Sequence, residues 1–286
     1  MINGYIALTK PRIISLLLIT ALGGLFLASE GFPDPITTLV VLVGGSLAAG
    51  GANAINHFLD RDIDSKMSRT SQRPLVSGQI TPIPALLFGI FLNILAFALL
   101  WQMANLLSAL LALTATLFYV FVYTIALKRT TPQNIVIGGA AGAIPPMVGW
   151  AAVTGNILDP SPFLLFAIIF FWTPPHFWAL SLILKDDYEE AGVPMLPVVA
   201  GVHSTKKQIF AYTWVLLVLM IATVLLAPGL GVIYGVISLS LTFIFIGFTW
   251  RLLKQDGIGF AKATYLFSLA YLAILFLAII IEGSLQ

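Results

Sequence analysis

The chain has 286 residues, of which 59% are hydrophobic and 9% charged, with a formal net charge of +2 and no cysteine; its mean hydropathy is +1.00. A globular surface in water typically carries charge on about a quarter of its residues, so these values exclude a soluble domain. The absence of cysteine excludes disulfides, thiolate metal sites, covalent haem attachment through C-x-x-C-H and cysteine nucleophiles, which leaves oxygen and nitrogen as ligand atoms.

A bilayer-spanning helix needs about 20 mostly apolar residues. Runs of that kind predict nine spans, at 13–30, 36–56, 82–101, 106–127, 134–153, 162–184, 208–227, 230–250 and 263–281. The segment before the first run, MINGYIALTKPR, is too short for a transit peptide, and the run lacks a small-residue cleavage site. The expectation is a retained span in a prokaryotic cytoplasmic (inner) membrane. No linker or low-complexity tract interrupts the spans, so residues 1–286 read as one all-α, multi-pass domain.

Alternating the connections puts the N-terminus and segments 57–81, 128–133, 185–207 and 251–262 on one face. All 14 basic residues fall there, while the other face holds only Glu30, Asp34, Asp159 and Glu282. Positive charge is retained on the cytoplasmic side, which predicts the N-terminus inside and the C-terminus outside. The long connections share that side, so function carried by loops is expected there.

The second run ends in NAINHFLDRDIDSKMSRTSQRPL, residues 53–75. Asn56, Asp60 and Asp64 recur every four residues and stack on one helical face, neighbours about 6 Å apart. Like charges so placed repel without a counter-ion, and oxygen ligands on a rigid face suit Mg²⁺, which is usually shared with substrate phosphates. The expected ligand is therefore a phosphorylated molecule; the alternative is a solvated helix end. Asp62 falls on the opposite face, spaced to pair with Lys66. Lys10, Arg12, Arg69, Arg73, Lys128, Arg129 and Lys185 lie where they could meet the phosphates, although topology alone also demands basic loops. A second acidic segment, KDDYEE, offers Asp186, Asp187 and Glu190 to a second Mg²⁺ facing the first, or simply ends a helix in water.

Proline pairs interrupt the fifth and sixth runs at Pro145–Pro146 and Pro174–Pro175, and predict kinks that free carbonyls toward a cavity. His176 is the ionisable side chain deepest in a run, and such groups are functional candidates. His57 and His203 sit at boundaries. The aromatic residues Phe118, Tyr119, Phe121, Tyr123, Phe170, Phe171, Trp172, Phe177 and Trp178 could shelter a carbocation or simply pack.

The strings LTKPRI, NHFLDRDIDSKMSRTSQRPL, YTIALKRTTPQNIVIGGAAGAIPPMVGWAAVTG and WTPPHFWALSLILKDDYEEAGVPMLPVV resemble the haem-modifying branch of the UbiA-type intramembrane prenyltransferases. The resemblance is close from residue 8 to about 204 and rests on position and hydropathy in the last three spans. It implies a nine-helix bundle around a central cavity, with Mg²⁺ and diphosphate at the cytoplasmic rim. Asn56, Asp60 and Asp64 then become metal and diphosphate residues, with Arg69, Arg73, Lys128 and Arg129 as diphosphate partners. The superfamily's second motif is often D-x-x-x-D, so Asp186, Asp187 and Glu190 depart from it.

The implied reaction joins the farnesyl group of farnesyl diphosphate to a vinyl group of protoheme IX (haem b), with water adding to give haem o. His176, about 13 Å below the end of its span, would ligate the haem iron or orient the macrocycle, or else hydrogen-bond carbonyls freed by the prolines. The expected partners are farnesyl diphosphate, haem b and the lipid bilayer, without nucleic acid. Docking to a downstream haem-modifying enzyme or a haem–copper oxidase assembly stays open. The alternatives are a quinone or other aromatic acceptor, a secondary transporter, and a purely structural subunit. Transporters place coupling acids near the midplane, where this chain has none.

Overall fold

The computed structural model describes residues 2–29 and 31–285; Glu30, one of the acids expected on the outer face, lies outside them. Among the described residues, nine helices are long and apolar enough to cross a bilayer: Pro11–Ser29, Pro35–Leu59, Pro82–Met103, Leu106–Leu127, Asn134–Thr154, Pro160–Ile183, Gly201–Leu226, Val232–Lys254 and Ala261–Gly283. Each expected run is one span.

Local chemistry sets their ends. Proline opens the first, second, third and sixth spans, where its missing N–H leaves no helical bond unmade. Asp34, Asn105 and Asp159 accept from the backbone N–H of Thr37, Ser108 and Ser161 as N-caps. The seventh span begins at Gly201 rather than 208, and the eighth continues to Lys254, because polar residues can continue a helix beyond the hydrocarbon while their charged ends stay wet.

The two proline pairs behave differently. The fifth span breaks at Ile144 into Asn134–Ala143 and Pro145–Thr154, following the glycine-rich GGAAGA, which holds a helix weakly. In the sixth, Pro174 and Pro175 are buried inside one uninterrupted helix, Pro160–Ile183. The fourth span changes register. It is α-helical over Leu106–Leu117 and π-helical over Phe118–Leu127, closing with Lys128 N–H donating to the Tyr123 carbonyl at 2.8 Å. Such wide helices are rare and cluster at functional positions.

Bulky side chains such as Phe91, Ile94, Val218, Leu225 and Phe243 face outward, as lipid contact requires. Phe121 and Phe177 are also exposed, which removes them from an internal aromatic lining. Helix contact depends on small residues, because apolar side chains gain little by leaving apolar lipid. A methyl group on Gly24 would strike the Pro146 carbonyl, and one on Gly149 would strike the Ala21 carbonyl, so the first and fifth spans cross backbone to backbone. Gly51 and Gly89 let the second and third spans approach in the same way.

Gly24→Ala or Gly149→Ala should each cost about 1–3 kcal/mol by forcing this crossing apart. Gly142→Ala, where the added carbon meets open space, serves as the control. Thermal unfolding in detergent measures both, and equal midpoints would refute the close crossing.

Candidate active site

The second span turns its polar face inward as it ends. Asp60 N–H donates to the Asn56 carbonyl at 2.9 Å and Asp64 N–H to the Asp60 carbonyl at 2.8 Å, so these three residues keep the helical four-residue relation although the helix breaks at Asp60, before the short turn Arg61–Asp64. Asn56, Asp60 and Asp64 therefore stay on one face, and all three are buried. Asn56 Nδ2 donates to Asp60 Oδ2 at 2.7 Å.

Three bases reach this stack from three other segments. Lys10 Nζ donates to Asn56 Oδ1 at 2.9 Å, Lys128 Nζ to Asp60 Oδ2 at 2.5 Å, and Arg73 Nη1 to Asp64 Oδ2 at 2.6 Å. Lys10 sits in the turn between the helix Ile2–Thr9 and the first span, with φ of 55°, a left-handed conformation uncommon for a lysine. Asn53 Nδ2 pins that turn by donating to the Thr9 carbonyl at 2.9 Å. Lys128 follows the π-helix, whose Thr124 donates to the Tyr119 carbonyl at 2.8 Å and accepts from Asn56 Nδ2 at 3.2 Å. Arg73 is carried by a folded loop in which Thr70 Oγ1 donates to the Asp64 carbonyl at 2.9 Å and Met67 and Ile80 are buried. Sequence reasoning missed Asn53 and Thr124, since an amide or hydroxyl inside an apolar run carries no spacing signal of its own.

Asp62 does lie off this face, but its partner is Arg129 and not Lys66. The guanidinium donates through Nη1 to Asp62 Oδ2 at 2.6 Å, and through Nη2 to Asp62 Oδ1 at 2.7 Å and the Leu59 carbonyl at 3.0 Å. The planar fork of arginine matches a carboxylate in a way an ammonium does not. The hydrogen bonds from Arg129 pull Asp62 down to about 2, while Asp62 raises Arg129. Arg129 Nη2 also lies 3.9 Å from Asp60 Oδ1, at the edge of the buried cluster.

The structure does not gather the second acidic segment on one side. On the short helix Lys185–Glu190, Asp186 and Glu190 share the exposed face, and only Asp187 turns inward, accepting from Ser68 Oγ at 2.9 and 3.0 Å. Lys185 pairs with Glu189 at 3.4 Å. Arg12 and Arg69 are exposed. His176 is buried and bonds the Ser268 hydroxyl through Nδ1 at 2.7 Å, where a carbonyl freed by proline was the alternative to a ligand role. His57 is buried with neither ring nitrogen hydrogen-bonded.

Among the described residues, no three His, Asp or Glu side chains converge as a metal cage. Asp60 Oδ1 is nevertheless buried with no hydrogen bond, and the oxygens of Asn56, Asp60 and Asp64 are hard donors. They fit a divalent cation that takes its remaining ligands from water and phosphate. Two buried acids face Lys128 and Arg73, and Lys10 adds positive charge when protonated, as it would be beside a bound anion. Burial, with Arg73 and Lys128 nearby, lowers Lys10 from 10.5 to about 7.

A family model described as the UbiA prenyltransferase family matches residues 17–275. The protoheme IX farnesyltransferase of Trichormus variabilis is 51% identical over 286 residues, covering 99% of this chain and 89% of that one. A structure of digeranylgeranylglyceryl phosphate synthase superposes with a TM-score of 0.81 at 22% identity, covering 100% of this chain and 99% of that one. A UbiA homologue from Archaeoglobus fulgidus bound to DMAPP and Mg²⁺ superposes with a TM-score of 0.73 at 18% identity, covering 97% and 99%. At these identities the two structures establish the fold.

The lowered Lys10 makes a pH prediction for the ligand-free protein. With a folded value of about 7 against 10.5, the unfolded chain binds more protons between those values, so stability should rise with pH across that window. In metal-free detergent the unfolding midpoint should climb from pH 7 to about pH 9, and Lys10→Met should flatten the climb. An unchanged slope in the variant would assign the effect elsewhere.

Proposed function

The chain belongs to the UbiA prenyltransferase family, and from that premise we propose that it transfers the farnesyl group of farnesyl diphosphate to a vinyl group of protoheme IX, giving haem o and diphosphate. The buried cluster of Asn56, Asp60 and Asp64 against Lys10, Arg73 and Lys128 at the end of an apolar bundle carries the prenyl-diphosphate half of this reading. The haem half is supported by the relative that is 51% identical and named protoheme IX farnesyltransferase.

Both substrates have apolar bodies and anionic ends, which a membrane bundle with a charged rim accommodates. Breaking the C–O bond of farnesyl diphosphate leaves an allylic cation and concentrates negative charge on the departing diphosphate. Lys10, Arg73 and Lys128 are already placed to meet that charge, so little reorganisation is needed as it develops. Arg69 and Arg129 extend the positive rim. Asp60, Asp64 and Asn56 are the residues that would hold Mg²⁺, which is bound with DMAPP in the homologue from Archaeoglobus fulgidus and would here supply further neutralisation of the diphosphate. Tyr119 and Tyr123 stack with ring centroids 5.4 Å apart on the π-helix beside Thr124 and offer aromatic faces to the cation. The terminal vinyl carbon of haem attacks the farnesyl carbon, and water adds to the resulting haem cation with loss of a proton. His176 ligates or orients the macrocycle. Residues 1–286 act as one prenyltransferase domain in the inner membrane, basic face to the cytoplasm and C-terminus outside.

Purified protein incubated with haem b, farnesyl diphosphate and Mg²⁺ should yield the mass of haem o. Turnover with hydroxybenzoate in place of haem would favour the quinone-type reading instead. Asp60→Ala and Asp64→Ala should each lower the rate on the order of 10²–10³-fold without loss of membrane insertion. Asp62→Ala, which frees only Arg129, should be much milder, and equal sensitivity would undo the single-face arrangement. Orientation has its own test. Cysteines introduced at Ser71 and Asn156 should label from opposite sides of the membrane, against a native chain that has none; labelling from one side would reverse the topology.

A further inference from the structure

His176 is buried in the sixth span among aromatic side chains. Its ring stacks on Trp172, centroids 4.3 Å apart at 17°, and on Tyr265 of the ninth span, 4.9 Å apart at 28°. Trp172 and Tyr265 make no ring contact with each other, so the imidazole lies between them. Trp172 Nε1 donates to the Ser268 carbonyl at 2.9 Å and thereby ties the ninth span to the same cage.

The hydrogen bonds decide which ring nitrogen carries the proton. Ser268 Oγ donates its one proton to the Tyr265 carbonyl at 2.6 Å. At 2.7 Å from His176 Nδ1, the same oxygen can then only accept. The imidazole is therefore the Nδ1–H tautomer, and its free lone pair is on Nε2. That nitrogen has no hydrogen-bond partner, yet it is not sealed off as both nitrogens of His57 are. A neutral imidazole fixed at one nitrogen and open at the other is the usual arrangement of a metal-ligating histidine.

We propose that Ser268 is a positioning residue that holds His176 as its Nδ1–H tautomer, between Trp172 and Tyr265, and so presents Nε2 to the iron of the porphyrin substrate. The ligand half of this proposal rests on the haem reading above. The tautomer half does not. A merely structural serine would contribute to helix packing without setting the tautomer of its neighbour.

Two measurements separate these halves. In ligand-free protein labelled with ¹⁵N-histidine, three residues give ring signals, His57, His176 and His203, and His176→Ala identifies the one of interest. That signal should report Nδ1–H in the native chain and in Ser268→Thr, which keeps the hydroxyl, and should change in Ser268→Ala. Nε2–H in the native chain would overturn the proposal. In a haem titration, Ser268→Ala should shift the absorption band and weaken haem binding about 10–100-fold, the usual effect of removing a group that orients a metal ligand. Ser268→Thr should restore both, and farnesyl diphosphate binding should be retained throughout. The double variant His176→Ala/Ser268→Ala should bind haem no more weakly than His176→Ala alone, because the serine acts through the histidine. Additive losses would overturn that dependence. A native chain that shows the Nδ1–H signal but no histidine-ligated haem spectrum would overturn the ligand half and count against haem as the acceptor.

Discussion

Burying two carboxylates at the end of a membrane helix is the constraint around which this molecule is arranged. Removing charge from water costs several kcal/mol per ion even after relaxation, and only well-placed partners recover it. Asp60 and Asp64 recover it from Lys128 and Arg73, while Asn56 links Asp60 to Lys10. Each partner comes from a different stretch of chain, so the cluster also fastens the N-terminal turn, the first long loop and the end of the fourth span together. The same groups that make the ligand-free protein tolerable are those that would share a metal and a diphosphate when substrate arrives.

The backbone has been adapted to bring those partners in. The left-handed residue at Lys10 and the π-helix after Leu117 both depart from low-energy regular structure, and such departures persist where surrounding contacts over-determine them. Asn53 holds the first and Thr124 the second. Away from the rim, the spans are held by glycine-mediated backbone contact, as between the first and fifth and between the second and third. Such crossings leave polar side chains such as Thr213, Thr242 and Thr249 to bond across or within the remaining helices.

Two polar regions result, with different characters. The rim is a cluster of opposite charges in which Lys10 stands as a further base, suited to an anion. The His176 cage is neutral, aromatic and held from the ninth span. A reaction between an amphiphilic diphosphate and a flat macrocycle requires one site of each kind within the same bundle.

Hydropathy alone determined the nine spans, because the length of an apolar run is a local property that the bilayer reads directly. The four-residue spacing of Asn56, Asp60 and Asp64 was equally legible, since Asp60 N–H bonds the Asn56 carbonyl and Asp64 N–H the Asp60 carbonyl on either side of the break at Asp60. Pairing was not. Asp62 and Lys66 have suitable spacing, but Arg129, 67 positions away, offers two parallel hydrogen bonds and takes the carboxylate. The acids Asp186, Asp187 and Glu190 look equivalent in sequence, yet only tertiary packing turns Asp187 toward Ser68 and leaves the others in water. Likewise, no local pattern marks Ser268 as the partner of His176 across 92 residues. Periodicity records which face a residue occupies, whereas the neighbour it meets there depends on how separate helices cross.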